Sequence, residues 1–143
     1  MFGPHLTLDL YSCNKKKLAD KNFILKVLEE LPDLIEMRKI SEPQILEYPG
    51  NPNSFDAGGI SAFILIAESH ISIHTFVKQA FASVDVFSCK DFDVKKAEDY
   101  IIKNFEPKKV EKHLINRGIE FPKEVERAKE IVLKTRKKMA ISS

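Results

Sequence analysis

Residues 60–67 (ISAFILIA), 71–76 (ISIHTF) and 81–87 (FASVDVF) decide the fold. The first segment is a continuous apolar run, which indicates a buried central strand. The other two alternate polar and apolar residues, which is typical of strands that bury one face. Three strands so close together in the chain predict the centre of a largely antiparallel sheet.

The residues before this centre add a strand, a helix, another strand and a long loop. His5–Tyr11 alternates again and predicts a half-buried strand. Apolar residues at helical spacing predict one helix over residues 15–31, ended by Pro32. A further strand is expected around residues 40–48. The stretch from 48 to 59, YPGNPNSFDAGG, is dense in Pro, Gly and Asn and predicts a loop that carries function.

The residues after the centre predict a helix, a strand and a final helix. Asp93 is a good N-cap for a helix through Phe105, and a short strand is expected near residues 110–114. Pro122 is expected to open the last helix, which packs by a stripe of Val125, Ala128, Val132, Thr135 and Met139. The order β-α-β-β-β-β-α-β-α predicts an α+β fold, a two-layer sandwich with helices on one face of the sheet.

Length and composition exclude several classes of protein. The 143 residues suit a single domain without a linker, and a net charge of +2 gives no reason to expect nucleic acid. No apolar run is long enough to span a membrane, and we find no signal peptide, so we expect a cytoplasmic protein. Cys13 and Cys89 are then expected to be reduced rather than joined in a disulfide.

Reactive side chains are concentrated in residues 67–75, AESHISIHT, with Cys89 following. On a strand, His70 and His74 would share one face, and Ser69 would lie at the turn, where a nucleophile needs a nearby base. These residues alone leave three alternatives open: catalysis, a pair of core histidines, and a partial zinc site with Cys89. A serine-hydrolase triad lacks the expected GxSxG motif around Ser69.

The segment IAESHISIHT, followed by SVDVFSC, resembles the prokaryotic-type S-adenosylmethionine decarboxylase proenzymes. The opening HLTLDLYSC is similar to the N-terminal strand of that family, and Gly59-Ile60-Ser61 resembles its small-residue turn. The resemblance extends from about His5 to Gly118.

This resemblance implies a chain that cuts itself between Glu68 and Ser69 into residues 1–68 (the β chain) and 69–143 (the α chain). Ser69 would become a pyruvoyl group, which forms a Schiff base with the substrate amine and replaces pyridoxal phosphate without any metal. His74 would be the base and Ser61 a helper in this processing. Cys89 would donate a proton to the substrate after carbon dioxide leaves.

The resemblance also implies a substrate site and a partner. Glu68, Phe76 and Phe55 would bind the substrate, with Phe55 against the adenine or the sulfonium. Two processed protomers would pair as a homodimer, with each site built at the interface. The product would be the aminopropyl donor for spermidine synthesis in polyamine biosynthesis.

One departure from the family pattern keeps other substrates open. Where the family usually has Trp-Pro-Glu, this chain has Phe76, Val77 and Lys78, and an ammonium cannot accept hydrogen bonds from ribose hydroxyls. An arginine or ornithine decarboxylase is the alternative, with Asp56 pairing the cationic side chain of the substrate. A third hypothesis is an unprocessed paralogue that regulates an active partner.

Overall fold

An antiparallel sheet forms the centre of the computed structural model, which describes residues 3–121 and 125–142. Within these residues the sheet has seven strands. They are β1 (Gly3–Tyr11), β2 (Arg38–Lys39), β3 (Gln44–Tyr48), β4 (Gly59–Ala67), β5 (Ser69–Phe76), β6 (Phe81–Ser88) and β7 (Lys109–Arg117). Neighbours follow the order β2-β4-β5-β6-β1-β7, and β3 also pairs with β4.

Two helices, the second and third described along the chain, cover one face of this sheet. The helices are α1 (Lys15–Leu18), α2 (Lys21–Leu34), α3 (Val94–Phe105) and α4 (Val125–Ser142) among the described residues. Alternate side chains of the strands are buried together with the apolar faces of α2 and α3; this core includes Leu6, Leu8, Leu10, Ile64, Ile71, Ile73, Val84, Val86, Leu28, Ile101 and Phe105. The predicted α+β class, with a largely antiparallel sheet, is confirmed.

The helix predicted over residues 15–31 is two helices. Asp20 starts the second one, because its carboxylate accepts hydrogen bonds from the backbone N–H groups of Asn22 and Phe23 at 2.9 and 3.3 Å. Asn14 caps the first helix in the same way. A short polar side chain that satisfies free N–H groups begins a new helix even where the apolar spacing continues.

Pro32 does not end α2, contrary to the prediction. The helix runs on to Leu34, with Pro32 buried inside its last turn. Proline removes only its own N–H bond and clashes with the preceding turn, so the residues after it can remain helical. The N–H of Ile35 still reaches the carbonyl of Leu31 at 3.1 Å.

The strand expected around residues 40–48 is shorter, Gln44–Tyr48, and the two-residue strand β2 precedes the expected range. Two residues of β2 pair with the end of β4, and β3 pairs with its beginning. Pro43 lies between them, and a residue without an N–H cannot donate to a sheet ladder. The loop expected between residues 48 and 59 is present and connects β3 to β4.

The last helix differs from the prediction in its packing. Pro122 lies outside the described residues, as do the side chains of Val125 and Ala128. Within α4, Val132 is 49% exposed and Met139 is 67% exposed, so this part of the predicted stripe is not buried. None of the described helices is long and apolar enough to cross a lipid bilayer.

Thr75 links the start of β4, the end of β5 and the end of α1. Its hydroxyl donates to the carbonyl of Leu18 and accepts from the N–H of Ile60, both at 2.9 Å, and the residue is buried. The backbone approaches closely here as well, because a Cβ on Gly59 would lie 1.7 Å from the carbonyl oxygen of Thr75. These contacts fix the β4–β5 pair at its open end.

Replacing Thr75 with valine should therefore lower the free energy of unfolding by about 2–4 kcal/mol, because a buried N–H and a buried carbonyl each lose their partner. Urea denaturation of both proteins measures the difference. Thr75→Ser keeps the hydroxyl and should lose much less. Valine retains the methyl group and serine retains the hydroxyl, so a loss in Thr75→Ser as large as that in Thr75→Val would contradict a dominant role of the two hydrogen bonds.

Candidate active site

The turn between β4 and β5 places Glu68 and Ser69 at one end of the sheet. The Ala67–Glu68 peptide bond is cis, and Ser69 has a φ of 134°. Residues other than glycine rarely adopt this φ, and such a backbone conformation persists only where the surrounding structure holds it. Ser69 pairs with Ser88 of β6 and Ile66 of β4, so strands on both sides hold this backbone.

Cys89, just after β6, makes three contacts with Glu68. Its backbone N–H donates to the carbonyl oxygen of Glu68 at 3.1 Å. Its thiol lies 3.1 Å from the same oxygen and 3.1 Å from Oε2 of the Glu68 carboxylate. Burial, followed by the hydrogen bond to Glu68, raises the pKa of the Cys89 thiol, so the thiol remains protonated at neutral pH. The carbonyl group that precedes Ser69 thus faces two donors.

Two residues that the sequence did not single out shape the turn of Cys89. The hydroxyl of Ser88 accepts from the N–H of Lys90 at 3.1 Å and lies 3.6 Å from the sulfur of Met37. A Cβ on Gly3 would lie 1.8 Å from the carbonyl oxygen of Ser88 and 2.7 Å from Cα of Cys89. These residues hold the backbone that directs the Cys89 N–H, and no sequence motif identified them.

Ser61 and His74 form a second group at the other end of the same strands. The Oγ of Ser61 lies 3.0 Å from Nδ1 of His74, and the two residues face each other in the register of β4 and β5. His74 is five residues along β5 from Ser69, which corresponds to about 16 Å at the usual rise of a strand. The structure thus joins Glu68, Ser69 and Cys89, and separately Ser61 and His74, but not the two groups.

The candidate substrate-binding aromatics lie at the His74 end. Phe55, in the long loop, is 80% exposed and stacks on Phe76 with ring centroids 6.5 Å apart. Phe76 contacts Phe81 in turn at 5.7 Å. Gln79 holds the loop, because its side-chain amide donates to the carbonyl of Phe55 at 2.6 Å. An aromatic surface is therefore available two residues from His74.

Two charged residues, Asp56 and Lys78, lie beside these aromatic residues in the chain. Asp56 uses Oδ1 to accept the N–H of Gly58 at 2.9 Å, which closes its own loop. Lys78 is exposed in the turn that follows Phe76.

The remaining predicted residues have other surroundings. The ring of His70 contacts Phe87 edge-on at 5.7 Å. Cys13 is a free buried thiol whose pKa is raised to about 11 by burial, and Cys89 is also free. In the described ranges 3–121 and 125–142, no three His, Cys, Asp or Glu side chains are grouped to hold a metal ion.

The chain is similar to proteins of one family. The family model described as S-adenosylmethionine decarboxylase matches residues 4–118. An S-adenosylmethionine decarboxylase proenzyme of Pyrobaculum islandicum is 37% identical over 110 residues, which are 76% of this chain and 82% of that protein. A proenzyme of the same name from Clostridium botulinum is 33% identical over 117 residues, 81% of this chain and 94% of that protein.

A solved structure is similar as well. The crystal structure of an adenosylmethionine decarboxylase from Aquifex aeolicus superimposes with a TM-score of 0.69 and 32% identity. The similar region covers 85% of this chain and 93% of that chain. The residues that match the family model, 4–118, include α2, α3 and nearly all of the sheet.

Proposed function

The chain belongs to the S-adenosylmethionine decarboxylase family, and we propose that it is a self-processing decarboxylase of S-adenosylmethionine whose pyruvoyl group arises from Ser69. The observation that carries this proposal is the pair of donors from Cys89 on the Glu68 carbonyl oxygen. Cleavage between residues 68 and 69 would divide the chain into residues 1–68 and 69–143.

Processing begins when the hydroxyl of Ser69 attacks the carbonyl carbon of Glu68. The carbonyl oxygen gains negative charge in this step, and the N–H and thiol of Cys89 already point at it from 3.1 Å each. Donors placed in advance stabilise such an oxyanion, and removing one from an enzyme typically costs a factor of about 10²–10³. The residues present therefore fit the formation of the group.

Collapse of this intermediate breaks the C–N bond between residues 68 and 69, passes the hydroxyl proton to the freed amine of Ser69 and leaves an ester. The ester must then be broken by elimination. A base removes the α-hydrogen of Ser69, the bond from Cβ to the ester oxygen breaks, and Glu68 leaves with a free α-carboxylate. The remaining dehydroalanine takes up a proton and then water, releases ammonia and leaves the pyruvoyl group. His74, oriented by its contact with Ser61, is the proposed base.

Within one protomer, His74 cannot reach Ser69 across about 16 Å of strand. Two copies of the sheet can stack face to face, related by a two-fold axis that lies between them and crosses β5 at its middle. This rotation reverses the strand direction in the second copy. It would bring the partner's His74 and the partner's Ser61 to the Ser69 end. The division of the site into two groups therefore supports a homodimer in which each site uses both protomers.

The face of the sheet opposite the helices suits such a dimer. It is apolar in places and uncovered in the single chain: Leu46 is 71% exposed, and Phe63 and Leu65 are also exposed. These side chains line a shallow groove together with Ser61 and His74. Burial of this face by a second copy would cover the apolar surface and complete both sites in one step.

The decarboxylation uses Ser69 and Cys89 together with the aromatic residues that lie at the His74 end of the strands. The pyruvoyl ketone supplies the electron sink that lets carbon dioxide leave the substrate. Cys89 then returns a proton to the α-carbon, for which its protonated thiol and its position beside Ser69 are suited. Phe55 and Phe76 lie at the His74 end, so the partner's Phe55 and the partner's Phe76 would provide the aromatic surface for the adenine or the sulfonium.

An arginine or ornithine decarboxylase is the second candidate, since Lys78 replaces a residue that could accept hydrogen bonds from ribose. The described contacts favour S-adenosylmethionine. The stacked rings of Phe55 and Phe76 offer a flat aromatic surface to an adenine, which arginine and ornithine lack. Asp56 uses one of its carboxylate oxygens to close its own loop, so that oxygen does not pair with a cationic amino-acid side chain.

Intact mass under denaturing conditions tests the proposal first. We expect two species, residues 1–68 and residues 69–143, with the second lighter than its encoded sequence by one ammonia. Release of carbon dioxide from S-adenosylmethionine, arginine and ornithine, compared side by side, then identifies the substrate. A single uncut mass after prolonged incubation would contradict self-processing and favour the unprocessed regulatory paralogue.

A further inference from the structure

The thiol of Cys89 lies between two oxygens that both belong to Glu68. One is the backbone carbonyl oxygen and the other is Oε2 of the side chain, each 3.1 Å from Sγ. Before cleavage, only the side chain carries a charge. The thiol is therefore in contact with one carboxylate and one neutral amide.

Cleavage changes the second of these neighbours. When the ester at Ser69 is eliminated, the carbon that held the carbonyl oxygen becomes the α-carboxylate of the new C-terminus at Glu68. The oxygen that accepts the Cys89 N–H and thiol then bears part of a negative charge. A negative charge next to a thiol opposes the loss of its proton.

Other charged groups near Cys89 do not offset this change. Lys90 is exposed and contributes its backbone N–H to Ser88. His5, His70 and Arg117 meet the ring of Phe87, two residues before Cys89. Glu68 is the charged residue whose side chain contacts the thiol within the described part of the chain.

We infer that self-cleavage itself places a second carboxylate against the Cys89 thiol and thereby keeps this proton donor protonated between turnovers. Glu68 is thus a positioning residue for catalysis as well as the cleavage site. The inference rests on the proposed function, because it requires the cut between residues 68 and 69. It predicts a difference between the cut and the uncut chain that does not depend on substrate.

The test measures the rate at which iodoacetamide alkylates Cys89 as a function of pH. The processed chain is compared with Ser69→Ala, which retains the neutral amide at Glu68. We expect the midpoint of the profile to lie about one pH unit higher in the processed chain, which makes alkylation about tenfold slower at pH 8. The midpoint reports the protonation of the thiol, so a change in access to the reagent does not alter it.

Two further variants separate charge from structure. Glu68→Gln removes the side-chain carboxylate and should lower the midpoint in both the cut and the uncut chain. Asp91→Asn removes an exposed carboxylate two residues from Cys89 and should leave the midpoint unchanged. In the cut protein, Cys13 and Cys89 fall on different chains, so intact mass distinguishes their labels.

The same samples distinguish the two ways of failing. If the wild-type chain is uncut by mass, both the proposed function and this inference are wrong. If the chain is cut and its midpoint equals that of Ser69→Ala, the inference alone is overturned. A higher midpoint in the cut chain supports it, whether or not Glu68→Gln yields folded protein.

Discussion

Replacing Ser69 with alanine is expected to leave the chain uncut and to reduce decarboxylation to the uncatalysed level. Alanine lacks the hydroxyl that attacks the Glu68 carbonyl, so neither the ester nor the pyruvoyl group can form. The loss should equal the whole rate enhancement, which in enzymes is typically at least about 10⁶-fold. Intact mass and release of carbon dioxide from S-adenosylmethionine measure the two parts of this result.

A matched variant controls for the fold. Ser72→Ala removes a hydroxyl three residues along the same strand and should leave a normally cut protein. The Ser69→Ala protein should also unfold cooperatively in urea, because Ser69 is not part of the buried core. A cut Ser69→Ala chain, or a decarboxylase that stays active without cleavage, would disprove the assigned role of Ser69.

The second large effect is expected from two defective chains produced together. Ser69→Ala lacks the nucleophile and His74→Ala lacks the proposed base, so neither chain should be cut when it is produced alone. In a mixed dimer, the His74→Ala chain keeps its Ser69, and its partner, the Ser69→Ala chain, keeps its His74. These two intact residues would face each other in one of the two sites. With random pairing, about half of the His74→Ala chains should then be cut, and the Ser69→Ala chains never.

A double variant provides the control for this experiment. Coexpression of His74→Ala with a chain that carries both substitutions should give no cleavage, because that partner supplies no histidine. Mass identifies each chain by its substitution. If the mixture of single variants also stays uncut, the base acts within one protomer, and the separation between Ser69 and His74 must close by some other movement.

Local patterns of the sequence were sufficient for the main elements of the fold. Alternation in residues 71–76 and 81–87 predicted two strands whose apolar rows are buried under helices. The helix that Asp93 caps begins at Val94 and ends at Phe105, because a cap and an apolar spacing depend only on nearby residues. The errors at Asp20, Pro32 and Pro43 are places where one side chain outweighs the periodic pattern.

The candidate site was predictable as a set of residue types but not as an arrangement. The resemblance of residues 67–75 to a known family named Ser69, His74 and Cys89. It could not show that Cys89 contacts Glu68, or that His74 lies beside Ser61, five residues along β5 from Ser69. Strand register decides these contacts, and register depends on how whole strands pair.

The sequence by itself determined the sheet, the core helices and the family. Only the tertiary structure decided that the N–H and the thiol of Cys89 face the Glu68 carbonyl oxygen, and how Gly3 and Ser88 hold the Cys89 turn. The physical reason is range: burial patterns and helix caps involve residues near one another in the chain. The contacts between Ser61 and His74 and between Glu68 and Cys89 join residues 13 and 21 positions apart, and the packing of the strands brings them together.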